Sequence, residues 1–332
     1  MGPTPNSPAL TPRKQRDDGP AERRPHLPAL PDFLTHLLGT NALRLGMRQI
    51  CIFLLIVAVT SPSAVSANTY VPAAPDTVVV PSGALKLRAV VWRPRGPGLH
   101  PAVLFTHGSG NATGFTASGL RGQRHPEILG PVFARHGYIL LYLFRRGDGL
   151  SGGQATACGD LMDQASAAGG QEARNSLQLR LLETDEMSDA EAGLAFLRTL
   201  SGVDPRRLAV VGHSFGGSLA FLLAERNSTL RAAVVFSAAG YSWDRSPELR
   251  ARLLAAAGRM RVPVFFIHAA NDSSVSSGKA LGAEMARLGK PSRLKIYAPV
   301  GRTEEEGHNF INLKVPVWEP DVFPFLDRYM SR

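Results

Sequence analysis

The sequence predicts an α/β protein with a mostly parallel central sheet, helices on both faces and a small loop or cap insertion. Two observations carry this reading. From about residue 77, short β-branched runs alternate with helical patterns, and after the second run a segment long enough for a crossover separates each strand from the next. The runs at 102–106 and 264–268 are continuously apolar, as strands buried on both faces require. In chain order, strands are expected at 78–80, 85–92, 102–106, 138–143, 208–212, 232–236, 264–268 and 294–297. No helix fits between the first two, which therefore form an antiparallel lead-in. Ala190, Leu194, Leu197 and Leu200 share one face of a helix, as do Leu281, Met285 and Leu288. Between Ser151 and about Gly170 the chain turns small, polar and rich in glycine, which predicts a loop or small cap rather than a separate domain. No internal repeat is evident.

The chain has 332 residues, and α/β folds of about 200–250 residues commonly form a single core, so residues 68–332 read as one domain. The formal net charge is +10, but the excess is spread along the chain and no Lys/Arg block is interleaved with aromatics. That pattern describes a soluble basic surface and argues against a nucleic-acid partner. Oligomeric state is not legible in the sequence.

Arg44 and Arg48 precede ten apolar residues, 50–59, followed by Ser61, Pro62 and the small-residue sequence Val65-Ser66-Ala67. Residues 47–67 therefore read as a secretory signal peptide cleaved before Asn68, placing the mature protein in the periplasm or outside the cell. Ten residues fall short of the roughly 20 that cross a bilayer as a helix, so no stable membrane anchor is expected after cleavage. Residues 1–46 hold eight prolines and no sustained apolar periodicity; they read as disordered, or as lying upstream of a natural start at Met47. Of the two cysteines, Cys51 falls in the apolar run, which leaves Cys158 alone and no intrachain disulfide. No cysteine and histidine spacing suits a structural zinc site.

The chemistry centres on Gly212-His213-Ser214-Phe215-Gly216, a G-x-S-x-G pattern in which glycines permit a tight strand-to-helix turn that lifts the serine hydroxyl above the sheet. A second match, Gly149-Leu150-Ser151-Gly152-Gly153, leads into a glycine-rich loop, whereas Ser214 follows the 208–212 strand and opens a helix with Leu219, Leu222 and Leu223. A serine hydroxyl needs a base to take its proton as it attacks. Only His268 and His308 follow Ser214, and His268 ends an apolar strand where a buried structural role suits it, so His308 is the base by elimination. Asp272 follows the 264–268 strand and is expected at the same sheet edge, orienting the imidazole. Asp244 lies in an earlier loop, and 304–306 reads as a solvated glutamate cluster. For the oxyanion, the backbone N–H of Phe215 is one expected donor. The loop His107-Gly108-Ser109-Gly110 supplies the other, from Ser109 in preference to Gly110.

From about residue 76 to the C-terminus the chain resembles the dienelactone-hydrolase-like branch of the α/β-hydrolases, which is also similar to the catalytic domains of prolyl-oligopeptidase-type enzymes. The resemblance rests on His107-Gly108-Ser109-Gly110, on Arg146-Gly147-Asp148-Gly149-Leu150-Ser151-Gly152, on Asp204-Pro205-Arg206-Arg207 before the elbow, and on Asp272 and His308. It implies the α/β-hydrolase fold. Dienelactone hydrolases proper use a cysteine nucleophile; serine here favours a general esterase acting on small-molecule esters or lactones, with no metal or organic cofactor required. A serine peptidase is the alternative, although the roughly 75 residues before the first strand cannot form a large substrate-filtering domain. A non-catalytic exported binding protein on the same fold is a second alternative, against which the intact Ser, Asp and His argue.

Overall fold

The computed structural model describes residues 73–110 and 125–331; the expected signal peptide, the stretch ahead of it and Cys51 lie outside them. Eight strands form one sheet: β1 (Asp76–Ser82), β2 (Leu85–Trp92), β3 (His100–Thr106), β4 (Ile139–Phe144), β5 (Val203–His213), β6 (Ala232–Phe236), β7 (Val264–Ala269) and β8 (Ser292–Tyr297). Their order is β1-β2-β4-β3-β5-β6-β7-β8. β1 pairs with β2, and β2 with β4, antiparallel, while every pair from β4 to β8 is parallel. The expected strands are all present. The largest difference is at β5, which begins five residues early because Val203 already pairs with His100 across a register shift.

The helices are α1 (His125–Arg135), α2 (Cys158–Glu183), α3 (Asp185–Thr199), α4 (Phe215–Arg226), α5 (Pro247–Arg259), α6 (Ser276–Arg287), α7 (Glu304–His308), α8 (Phe310–Leu313) and α9 (Val315–Met330). Successive side chains of a strand face opposite sides of a sheet. In β3, Ala102 and Leu104 accordingly join a core with Leu182, Leu194, Leu219 and Leu281 from α2, α3, α4 and α6. Val103 and Phe105 join the other core, with Phe133 of α1 and Trp318 and Phe323 of α9. This two-faced covering explains why β3 and β7 read as unbroken apolar runs. Parallel strands all end at one edge of the sheet, and the turns leaving β3, β5, β6 and β7 at that edge build the site.

The expected loop or small cap is largely helical. Residues 151–170 are not mainly loop, because α2 begins at Cys158 and runs through the glycine-rich stretch with a break at Gly169 and Gly170. Gly170, at φ 69° and ψ −162°, occupies a region that side chains exclude, so the two glycines join two helical segments at an angle. Ser151 lies in a 3₁₀ turn, Gly149–Ser151. Its buried hydroxyl donates to the Phe144 carbonyl at 2.7 Å and accepts from the Arg88 amide at 2.8 Å, a structural assignment that removes it from the chemistry. Cys158 is a free, buried thiol that burial pushes up to about 12, far from the thiolate form.

Candidate active site

Ser214 stands between β5 and α4 at φ 58° and ψ −120°, a conformation rare for a side-chain-bearing residue and of the kind a nucleophile elbow imposes. Two features hold it there. Its amide donates to the Phe236 carbonyl at 2.9 Å. The flanking glycines permit close approach: a Cβ on Gly212 would lie 2.1 Å from the Gly216 carbonyl oxygen, and one on Gly216 would lie 2.1 Å from that of His107.

His308 reaches Ser214 from the end of α7. Its Nε2 lies 2.8 Å from Ser214 Oγ and its Nδ1 lies 2.7 Å from Asp272 Oδ1. An ionised carboxylate only accepts hydrogen bonds, so Nδ1 carries the proton and Nε2 is free to accept one from the serine. Asp272 sits in the turn after β7 and is buried, as is His308. Burial alone would raise its pKa, but hydrogen bonds from His268 and His308 outweigh that and hold the carboxyl well below the usual carboxylate range. The three side chains expected from sequence are thus hydrogen-bonded in series across 94 residues of chain. Asp244 is exposed and stands outside this series. The glutamates at 304–306 are more than a solvated cluster. Glu306 and Thr303 form a capping box, with Thr303 Oγ accepting from the Glu306 amide and Glu306 accepting from the Thr303 amide, which starts the short helix that ends in His308.

Phe215 is the first residue of α4, so its N–H has no acceptor within the helix. Ser109, in the turn after β3, lines the same cavity of about 260 Å³ as Ser214 and Phe215. The carbonyls of this turn point into the protein. Those of His107 and Gly108 accept from the buried Arg145 guanidinium at 2.8 and 2.9 Å, and that of Gly110 accepts from the Gly159 amide at 2.8 Å. Arg145 is itself paired with the buried Glu186 and lies 5.4 Å from the Phe215 ring centroid. Ser109 and Phe215 therefore line the cavity together with the serine, and the turn that carries Ser109 is held by the Arg145 guanidinium.

Three supporting residues were not assigned from sequence. His213 Nε2 donates to the His308 carbonyl at 2.8 Å, tying the elbow to the imidazole's own backbone. Burial, with the neighbouring His308, pulls the His213 pKa down to about 3, so it stays neutral. Tyr241 packs its ring on His308 with centroids 4.3 Å apart; burial, and secondarily Asp272 and its glutamate neighbours, raise its hydroxyl to about 12. His268, read as a buried structural residue, is buried and also donates from Nδ1 to Asp272 Oδ2 at 2.8 Å. No sequence signal marks the partners of His213 or Tyr241. For His268, the signal is its place at a strand end, four residues before Asp272.

A serine, imidazole and carboxylate so arranged can pass a proton from hydroxyl to imidazole while the carboxylate stabilises the resulting charge. The model of the dienelactone hydrolase family matches residues 117–316, more than half of the chain. No curated protein matches the sequence. Among solved structures, the chain resembles an esterase from Pyrococcus furiosus at 17% identity and a TM-score of 0.54, covering 78% of this chain and 92% of that one. A dienelactone hydrolase-like promiscuous phosphotriesterase from metagenomic libraries is similar at 17% identity and a TM-score of 0.53, with 78% and 99% covered. An acylaminoacyl peptidase from Pyrococcus horikoshii is similar at 14% identity and a TM-score of 0.55; 78% of this chain is covered, but the chain spans only 42% of the peptidase. At these identities the likeness establishes the α/β-hydrolase fold. The family match, which covers more than half of the sequence, makes the protein a hydrolase: the chain belongs to the dienelactone hydrolase family.

Proposed function

We propose that the protein is an exported serine hydrolase that cleaves carboxylic esters or lactones through an acyl-serine intermediate. The observation that carries this reading is the unbroken series Ser214 Oγ, His308 and Asp272, with links of 2.8 and 2.7 Å, opening on a cavity. Ser214 attacks the ester carbonyl as His308 Nε2 takes its proton. Amides of Phe215 and Ser109 hold the oxyanion of the tetrahedral intermediate. His308 then protonates the departing alcohol, and water activated by the same imidazole releases the acid. The residues present complete this cycle without calling on a metal or organic cofactor.

An ester is favoured over a peptide with a free amino terminus by the residues around the serine. Among the described residues, Arg174 and Arg245 line the cavity and no acidic side chain does, so none of them complements an ammonium group. Export is supported by Arg44 and Arg48 ahead of the apolar run at 50–59 and by the small residues before Asn68. Replacing Ser214 with Ala tests the reading. The variant should keep the wild-type melting temperature and lose p-nitrophenyl ester turnover by about 10⁴-fold or more; a folded variant that retains turnover would exclude Ser214 as nucleophile.

A further inference from the structure

Two imidazoles, not one, hold the carboxylate of Asp272. His308 Nδ1 is 2.7 Å from Oδ1 and His268 Nδ1 is 2.8 Å from Oδ2, and since the carboxylate can only accept, both Nδ1 atoms are donors. His268 is placed to do this rigidly. It lies near the end of β7, 1% exposed, four residues before the acid it binds. Its Nε2 faces Ser277 Oγ at 3.4 Å, and that hydroxyl is itself fixed by donating to the Ala238 carbonyl at 2.5 Å. A Cβ on Gly278 would fall 2.7 Å from the ring, so the start of α6 closes over the imidazole with no space to spare.

We propose that His268 is a positioning residue for the hydrolytic reaction, fixing Oδ2 so that Oδ1 stays aligned with the His308 imidazole. This rests on the assignment of Ser214, His308 and Asp272 as the reacting series. A carboxylate anchored through one oxygen rotates about its Cβ–Cγ bond, and each departure from alignment leaves His308 in the wrong orientation or tautomer to accept the serine proton. The anchored second oxygen suppresses that rotation. A buried acceptor without its donor is also costly, which ties the same hydrogen bond to the stability of the turn after β7.

The test uses H268L and H268N in the mature protein, together with ¹⁵N-histidine-labelled wild type. Leucine keeps much of the volume and removes the donor; asparagine returns an N–H near the original Nδ1 position. The expected result is a kcat for H268L lowered roughly 10- to 100-fold, the scale of supporting hydrogen bonds around a reactive group, with KM within about twofold of wild type. H268N should recover most of the loss. The wild-type spectrum should show two far-downfield Nδ1 protons, one of which disappears in H268N while the His308 proton remains. Three results would each overturn the proposal: wild-type kcat in H268L, no recovery in H268N, or a wild-type spectrum with only the His308 proton downfield. If H268L fails to fold, the wild-type spectrum and H268N kinetics decide. Failure of the wild type itself to turn over esters or react with a fluorophosphonate would instead remove the proposed function, with the spectrum still reporting on the hydrogen bond.

Discussion

Ser214 holds a backbone conformation that costs about 1–3 kcal/mol when nothing compensates it, and its neighbours are selected to keep it there. Gly216 cannot gain a Cβ without meeting the carbonyls of Thr106 and His107 at 2.1–2.2 Å. Gly216→Ala should therefore displace the β3 turn along with the elbow, losing activity and lowering the denaturation midpoint together. Asp272→Asn should fold and lose about 10⁴-fold in kcat, because an amide cannot hold the imidazole in the tautomer that Ser214 requires. Two histidines that take no proton in the reaction also make stability depend on pH. Burial lowers His213 from 6.5 to about 3 and His125 from 6.5 to about 4. Below pH 6.5 the unfolded chain binds protons that the folded chain refuses, so stability is full above that pH and declines as pH falls toward these values. The slope should reach about 1.4 kcal/mol per pH unit for each histidine. Urea titrations between pH 7 and 4 measure it, and His213→Gln should flatten it. At this scale Ser214, His308 and Asp272 were legible because motif, chain order and strand ends constrain them. The hydrogen bond of His213 to a backbone 95 residues away was not, since no local pattern encodes it.

Among the elements, α2 carries the clearest lesson. Glycine pairs usually punctuate loops, which is what the sequence predicts for Gly169-Gly170, but here they join two helical segments whose residues Met162 and Arg174 both line the cavity. The helix was hard to see because its apolar residues, such as Met162, Leu181 and Leu182, are sparse and fall on either side of the break. Gly170→Ala should cost about 1–3 kcal/mol, since ψ −162° at positive φ suits glycine alone. Because the break sets one cavity wall, KM for bulky esters should change more than kcat in a comparison of ester series. The buried Arg145–Glu186 pair joins the end of β4 to α3 while the guanidinium grips two carbonyls of the β3 turn. Arg145→Met leaves a buried carboxylate unpaired and should cost about 3–5 kcal/mol in chemical denaturation.

At the largest scale, the eight strands and two separate cores among the described residues converge on one sheet edge, and the proposed chemistry needs that convergence more than any single contact. The fold class was legible because crossover-length segments between apolar strands admit few topologies, and the right number of strands followed from their β-branched runs. What sequence could not supply was the packing that turns an edge into a cavity, where α2, the turn after β6 and the β3 turn meet around Ser214. The most direct test of the proposed reaction is mass-spectrometric mapping of the purified protein after brief treatment with a fluorophosphonate probe. Stoichiometric labelling at Ser214, abolished in His308→Ala, is the predicted result; labelling elsewhere, or none at Ser214 in folded protein, would contradict the assignment of this serine as the nucleophile.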